Sequence, residues 1–143
     1  MYTFLLFLHI SSAALSIGPF FVLLPLTKKI RTAQQEVLTA YLDIFRAAVR
    51  LVKHAGHVLV GTGILLIWQS GWTWGTSWVV MTVGVMAASI VFLARAFTPA
   101  IRGFYAGINT QSELAGKLYR AVWLYISILA IMLWFMTAKP VFW

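Results

Sequence analysis

The stretch "RLVKHAGHVLVGTGILL", Arg50 to Leu66, reads as a helix that leaves water and enters hydrocarbon. Arg50 and Lys53 precede it, His54 and His57 sit at the boundary, and an apolar run with Gly61 and Gly63 follows. Three further apolar runs flank it. We place the four at residues 2–26, 52–70, 78–99 and 121–138. Each is long enough to span ~30 Å of hydrocarbon at about 1.5 Å per residue. Only 10% of the 143 residues are charged, far below a water-soluble domain, so the fold class is all-α: one domain, 1–143, built as a four-helix transmembrane bundle. The first run lacks a basic leader segment and is too long for a signal peptide, so it reads as a retained helix.

The distribution of charge sets an orientation. Lys28, Lys29, Arg31, Arg46, Arg50 and Lys53 fall between the first and second runs, and Arg95, Arg102, Lys117 and Arg120 at or between the third and fourth. Only Lys139 lies on the other side. The positive-inside rule then predicts both long connections in the cytoplasm and both termini outside, in a cytoplasmic (inner) membrane. Trp68, Trp72, Trp74, Trp78, Trp134 and Trp143 map to the outer interface, where amphipathic rings sit at headgroup level. The net charge of +8 is thus explained by topology and anionic membrane lipid, and nucleic acid is not expected as a partner.

The connections read as helix extensions, carrying helices two to four into the cytoplasm. Thr32 and Gln35 have capping-box spacing, so the second helix is expected to start near Ala33 and run unbroken into the membrane, with Asp43 pairing with Arg46. The third helix is expected to continue to about Gly107, and Thr110 with Glu113 to cap the fourth. Ser11, Ser12, Ala13, Ala14, Ser16 and Gly18 make one side of the first helix small, and Gly56, Gly61 and Gly63 do so on the second. Such surfaces let helices approach closely, and they leave room for a flat ligand.

All three histidines lie at membrane depth. A polar ring there is costly without a partner, which makes each a functional candidate. His9 falls about 10 Å below the outer edge, His57 about 20 Å and His54 about 24 Å. With helices ~9 Å apart, the backbones of His9 and His57 are then on the order of 13 Å from each other. That is too far for one small metal ion but suits two imidazoles on opposite faces of a haem. His54 and His57, three apart on one helix, form a weak metal pair; otherwise His54, Arg50, Lys53 and Arg95 would meet the haem propionates. The carboxylates Glu36, Asp43 and Glu113 all lie outside the bilayer, and no cysteine is present, so the sequence offers no carboxylate-based acid–base constellation, thiolate site or intramembrane carboxylate. Met81, Met86, Met132 and Met136 give a competing reading, because thioethers with imidazole favour Cu(I).

Leu8-His9, Gly18, Pro25 and a terminal Lys139-Pro140 carry a resemblance. "FLHISSAALSIGPFFVLLP" and "LWFMTAKP" resemble a family of small bacterial four-helix integral membrane proteins of uncharacterised function. That family is similar in plan to HemJ-type protoporphyrinogen oxidases and to the membrane domain of copper-resistance protein D. The resemblance implies a haem-binding role for His9. HemJ-type proteins also carry a lysine in the third span, whereas this chain has none from Trp78 to Ala94.

Sequence and resemblance together lead us to expect a protein that binds b-type haem through His9 and His57 and acts in electron transfer or haem handling. If it is an enzyme, a haem-dependent membrane oxidoreductase is expected. The alternatives are a copper-handling protein and a non-catalytic accessory subunit of a membrane complex. A quinone, a redox partner protein or a second copy of the chain are the expected partners.

Overall fold

The computed structural model describes residues 1–143, and every regular element in it is an α-helix. The elements are α1 (Tyr2–Thr32), α2 (Gln35–Ser70), α3 (Ser77–Ala96), α4 (Thr98–Tyr105) and α5 (Gln111–Ala138). Four helical stretches are long and apolar enough to cross a membrane: α1, α2, α3 together with α4, and α5. At about 1.5 Å per residue the 36 residues of α2 extend roughly 54 Å, well beyond a hydrocarbon layer. The helices run antiparallel, so one end of the bundle holds six of the seven tryptophans and the short 71–76 loop. The other holds most of the lysines and arginines. We call these the tryptophan end and the basic end.

Local chemistry explains most boundaries. Gly71 ends α2 in the left-handed region (φ 69°), which costs glycine nothing. Thr110 Oγ1 accepts from the Glu113 amide at 3.3 Å while the Glu113 carboxylate accepts from the Thr110 amide at 3.1 Å, the expected capping box. The Thr32–Gln35 box does not form. Thr32 is taken into the last turn of α1, and α2 begins at Gln35 with no side-chain cap. Exposed carbonyls at the end of α1 are satisfied from elsewhere: the Gln111 side-chain amide donates to the carbonyls of Ile30 (2.6 Å) and Ala33 (2.8 Å).

The third helix also departs from expectation. It stops at Ala96, turns at Phe97 and restarts as α4, with Pro99 in the first turn. The turn drives Phe97 into the core at 1% exposure. There its ring meets Phe20 and Phe45, each at 5.5 Å between centroids, and Tyr125 at 6.4 Å. Phe20 and Tyr125 lie 4.5 Å apart. This cluster ties α1, α2, α5 and the α3–α4 joint together toward the basic end. The aromatic contacts repay the break in the helix.

Packing is unequal around the bundle. α1 lies against both α2 and α5, and α5 lies against both α1 and α3. The small residues Ser12, Ala13 and Ser16 of α1 are buried, and the serine hydroxyls donate back to the carbonyls of His9 and Ser12, so no polar group is left unpaired there. α2 and α3 barely touch, although only six residues join them. The helices therefore form an arc, α2–α1–α5–α3, open along one side. The outward surface is apolar: Phe4, Phe7, Ile10, Phe21 and Val22 of α1 are more than half exposed. An exterior of that kind matches hydrocarbon rather than water.

Candidate functional site: a cleft between α2 and α3

The open side of the arc is a cleft with three compartments. A central chamber of about 310 Å³ is lined from α2 by Val52, Gly56 and His57, from α3 by Met86 and Ser89, and from α5 by Tyr125 and Met132. Toward the tryptophan end a second chamber, about 220 Å³, is lined by His9, Gly63, Trp72, Trp78, Met136 and Lys139 among others. The two share Leu59, Val60 and Met86 as walls. Toward the basic end lies a groove of about 570 Å³ with Arg46, Arg50, Lys53 and Arg102 on its walls and no carboxylate. Val49, Lys53 and Thr98 belong to both the groove and the central chamber. One apolar cleft therefore runs most of the length of the bundle and becomes cationic at one end.

His9 is the best-fixed polar group in it. Its Nδ1 lies 3.0 Å from the Thr62 hydroxyl oxygen. That hydroxyl has one proton, directed at the Val58 carbonyl (2.8 Å) and shared with Leu59 (3.2 Å). With the proton on either carbonyl, Thr62 accepts and His9 donates from Nδ1. That arrangement corresponds to the Nδ1–H tautomer, which carries its lone pair on Nε2. This is how a metal-binding imidazole is ordinarily oriented from behind. The ring also lies against Gly63: a Cβ there would stand 3.2 Å from His9 Cε1. Of the three glycines in α2 singled out by their spacing, only Gly63 makes a close approach. A Cβ on Gly56 or Gly61 would meet nothing within 4 Å, and Gly56 instead gives space to the central chamber.

His57 lines the central chamber, so His9 and His57 face different compartments of one cleft. They bracket the wall the compartments share. Along α2, His57 lies below Leu59 and Val60, and Gly63, against which His9 rests, lies above them. That separation is six residues, or about 9 Å. His54 is exposed, lines none of the three compartments, and stands edge-on to His57 with ring centroids 6.4 Å apart.

The cationic end differs in part from expectation. Arg50 and Lys53 line the groove and Arg95 lies outside it; all three are exposed. Ala94, Thr98 and Arg102 follow the cleft at four-residue spacing, which leaves Arg95 about 100° around the helix from Ala94. Arg46 and Arg102 take the places that spacing alone did not assign. Arg46 lies over the Tyr105 ring at 5.1 Å instead of pairing with Asp43. Among the methionines, Met86 rather than Met81 lines the second chamber with Met136 and His9. No group of three or more His, Asp or Glu side chains is gathered as a metal site.

The fold and cleft thus define a class: an all-helical bundle with four potential membrane spans and a lateral, apolar, one-end-cationic cleft. Comparison with protein-family models, curated proteins and solved structures finds no match. The likeness to HemJ-type and copper-resistance membrane proteins is accordingly carried by its short motifs alone.

Proposed function

We propose that this chain is a multi-pass protein of a cytoplasmic membrane, with the basic end in the cytoplasm and the tryptophan end outside, that binds b-type haem in the cleft for electron transfer or haem handling. The observation that carries the reading is the His9–Thr62 pair, which holds an imidazole by its Nδ1 side in the wall of an apolar cleft. The rest of the cleft supplies further groups of matching chemistry. His57 is a second imidazole, in the adjoining chamber beyond Leu59, Val60 and Met86, and Arg50, Lys53, Arg46 and Arg102 are cations of the kind that pair with propionates. Bound haem iron would supply one-electron chemistry. The protein's own part is to hold the imidazoles, exclude water from the ring and neutralise the carboxylates. The test is haem titration of purified protein. A Soret band that saturates at a fixed stoichiometry, and is lost or shifted in His9→Ala and His57→Ala, supports the reading; a featureless titration overturns it.

A second reading has its own observation. His9, Met86 and Met136 line one chamber and form a nitrogen–thioether set that favours Cu(I). Copper bound by haem-free protein, and lost in Met136→Leu, would favour it.

A further inference from the structure

The groove at the basic end holds more charge than two propionates would use. Arg46, Arg50 and Lys53 stand at i, i+4 and i+7 on one face of α2, and Arg102 joins them from α4. Like charges at those helical spacings repel, and no carboxylate lines the groove to offset them. The four cations are not equally placed for haem. Along α2, Lys53 is one turn from His57, whereas Arg46 is eleven residues, or about 16 Å, from it. Arg102 lies one turn past Thr98, the α4 residue that the groove shares with the central chamber, so it also belongs to the far end. A haem ligated by His57 thus has Lys53 and Arg50 as its nearest cations, and Arg46 and Arg102 are left over.

Those two arginines are brought together. The Arg46 guanidinium lies over the Tyr105 ring, 5.1 Å from its centroid. Tyr105 and Arg102 are three residues apart on α4, hence neighbours on one face. The contact reaches across from α2 to α4, two helices that otherwise hardly touch. A ring face takes up the charge of Arg46 without pairing its N–H donors as a carboxylate would. The depth is that of a headgroup layer. Arg46 is 22 residues along α2 from the exposed Trp68, roughly 33 Å, just past the ~30 Å of a hydrocarbon core.

We propose that this end of the groove binds the phosphate of an anionic glycerophospholipid from the adjoining leaflet, clamped between Arg46 and Arg102. Guanidinium groups recognise phosphate oxygens in pairs, and two converge here. Val49, Phe97 and Ile101 give the same groove an apolar floor, and the gap between α2 and α3 lets the acyl chains run on into hydrocarbon. A choline or ethanolamine lipid fits less well, because its own ammonium already offsets the phosphate. A soluble phosphate would use the arginines and leave the apolar floor unused. Topology alone does not account for the convergence. It asks only for basic residues on one side of the membrane, and Arg95, Lys117 and Arg120 meet that demand from outside the groove. The inference rests on the membrane placement proposed above and not on haem.

The test is a titration of haem-free, full-length protein in detergent with phosphatidylglycerol, the bound lipid counted by native mass spectrometry. Wild type is expected to hold one phosphatidylglycerol in preference to phosphatidylcholine. Arg46→Gln and Arg102→Gln should each weaken that binding about tenfold, as for loss of a charged hydrogen-bond donor. Tyr105→Leu keeps all four cations but releases Arg46, and should weaken it as well. These side chains are exposed, so the fold survives their replacement. Arg95→Gln and Arg120→Gln remove the same charge from outside the groove and should leave the affinity unchanged. Equal losses in Arg95→Gln and Arg46→Gln overturn the proposal, because binding would then follow net charge. Equal affinity for phosphatidylcholine overturns it too, as does displacement by glycerol 3-phosphate, which would make the site one for soluble phosphate. Because the protein is haem-free, failure here leaves the Soret result standing, and failure of the Soret result leaves this one. Labelling of cysteines placed at the two ends tests the membrane placement separately.

Discussion

The Thr62 hydroxyl offers the sharpest handle on the cleft. Thr62→Val keeps the shape of the side chain and removes the oxygen that holds His9 Nδ1 at 3.0 Å. The two helix carbonyls that Thr62 also serves, Val58 and Leu59, lose only a supplementary donor. The cost therefore falls on His9. Its Nδ1, in a half-buried ring, loses its hydrogen-bond partner, which costs about 1–3 kcal/mol, and the ring is no longer held in one orientation. For a metal-bound imidazole, loss of such a partner weakens metal binding by roughly 10–100-fold. Haem titration of apo protein, read at the Soret band, should show that weakening in Thr62→Val and near-normal affinity in Thr62→Ser, which retains the hydroxyl. A Thr62→Val protein that is folded by circular dichroism and titrates like wild type would refute the assignment of His9 as an oriented ligand.

Four further outcomes follow from the packing. Gly63→Ala places a methyl group 3.2 Å from His9 Cε1 and should weaken haem binding, whereas Gly61→Ala meets open space and should leave it unchanged in the same titration. Phe97→Ala empties the aromatic cluster at the α3–α4 joint and should destabilise the protein by about 3–5 kcal/mol, measurable as a lowered denaturation midpoint in detergent. Thr110→Ala removes the capping box of α5 and should cost about 1 kcal/mol by the same assay. Because the chain has no cysteine, Val141→Cys and Ser112→Cys report orientation directly: an impermeant maleimide added to intact cells should label the first and spare the second.

Much of the architecture is legible in residue order because hydrocarbon imposes few choices. Apolar runs of sufficient length must be helical, and the α5 capping box follows from Thr110 and Glu113 alone. Two features escape because their causes lie far away in sequence. Gln111 of α5 caps the end of α1, which a reading of Thr32 and Gln35 in isolation has no means to see. The break at Phe97 is decided by Phe20, Phe45 and Tyr125, each on a different helix, with Pro99 the only local sign.

The site is legible to a similar depth. Depth along the helices puts all three histidines forward; His9 and His57 line the cleft and His54 does not. Depth says nothing of Thr62, whose role emerges only when α1 packs on α2. Nor does it separate Arg95 from Arg102: both are basic residues near the end of the third span, and only the turn at Phe97 and the four-residue spacing from Ala94 put Arg102 in the groove. Small residues show the same limit. Gly56 and Gly63 share a pattern, yet one opens a chamber and the other receives an imidazole.

The central claim is that the cleft holds haem between imidazoles in the living membrane. The most direct measurement is a dithionite-reduced minus oxidised absorbance spectrum of the protein isolated from its native membrane with no haem added. The account predicts the sharpened α and Soret bands of a histidine-ligated b-type haem, absent when the same preparation carries His9→Ala. A wild-type preparation with no haem bands in either oxidation state would contradict it.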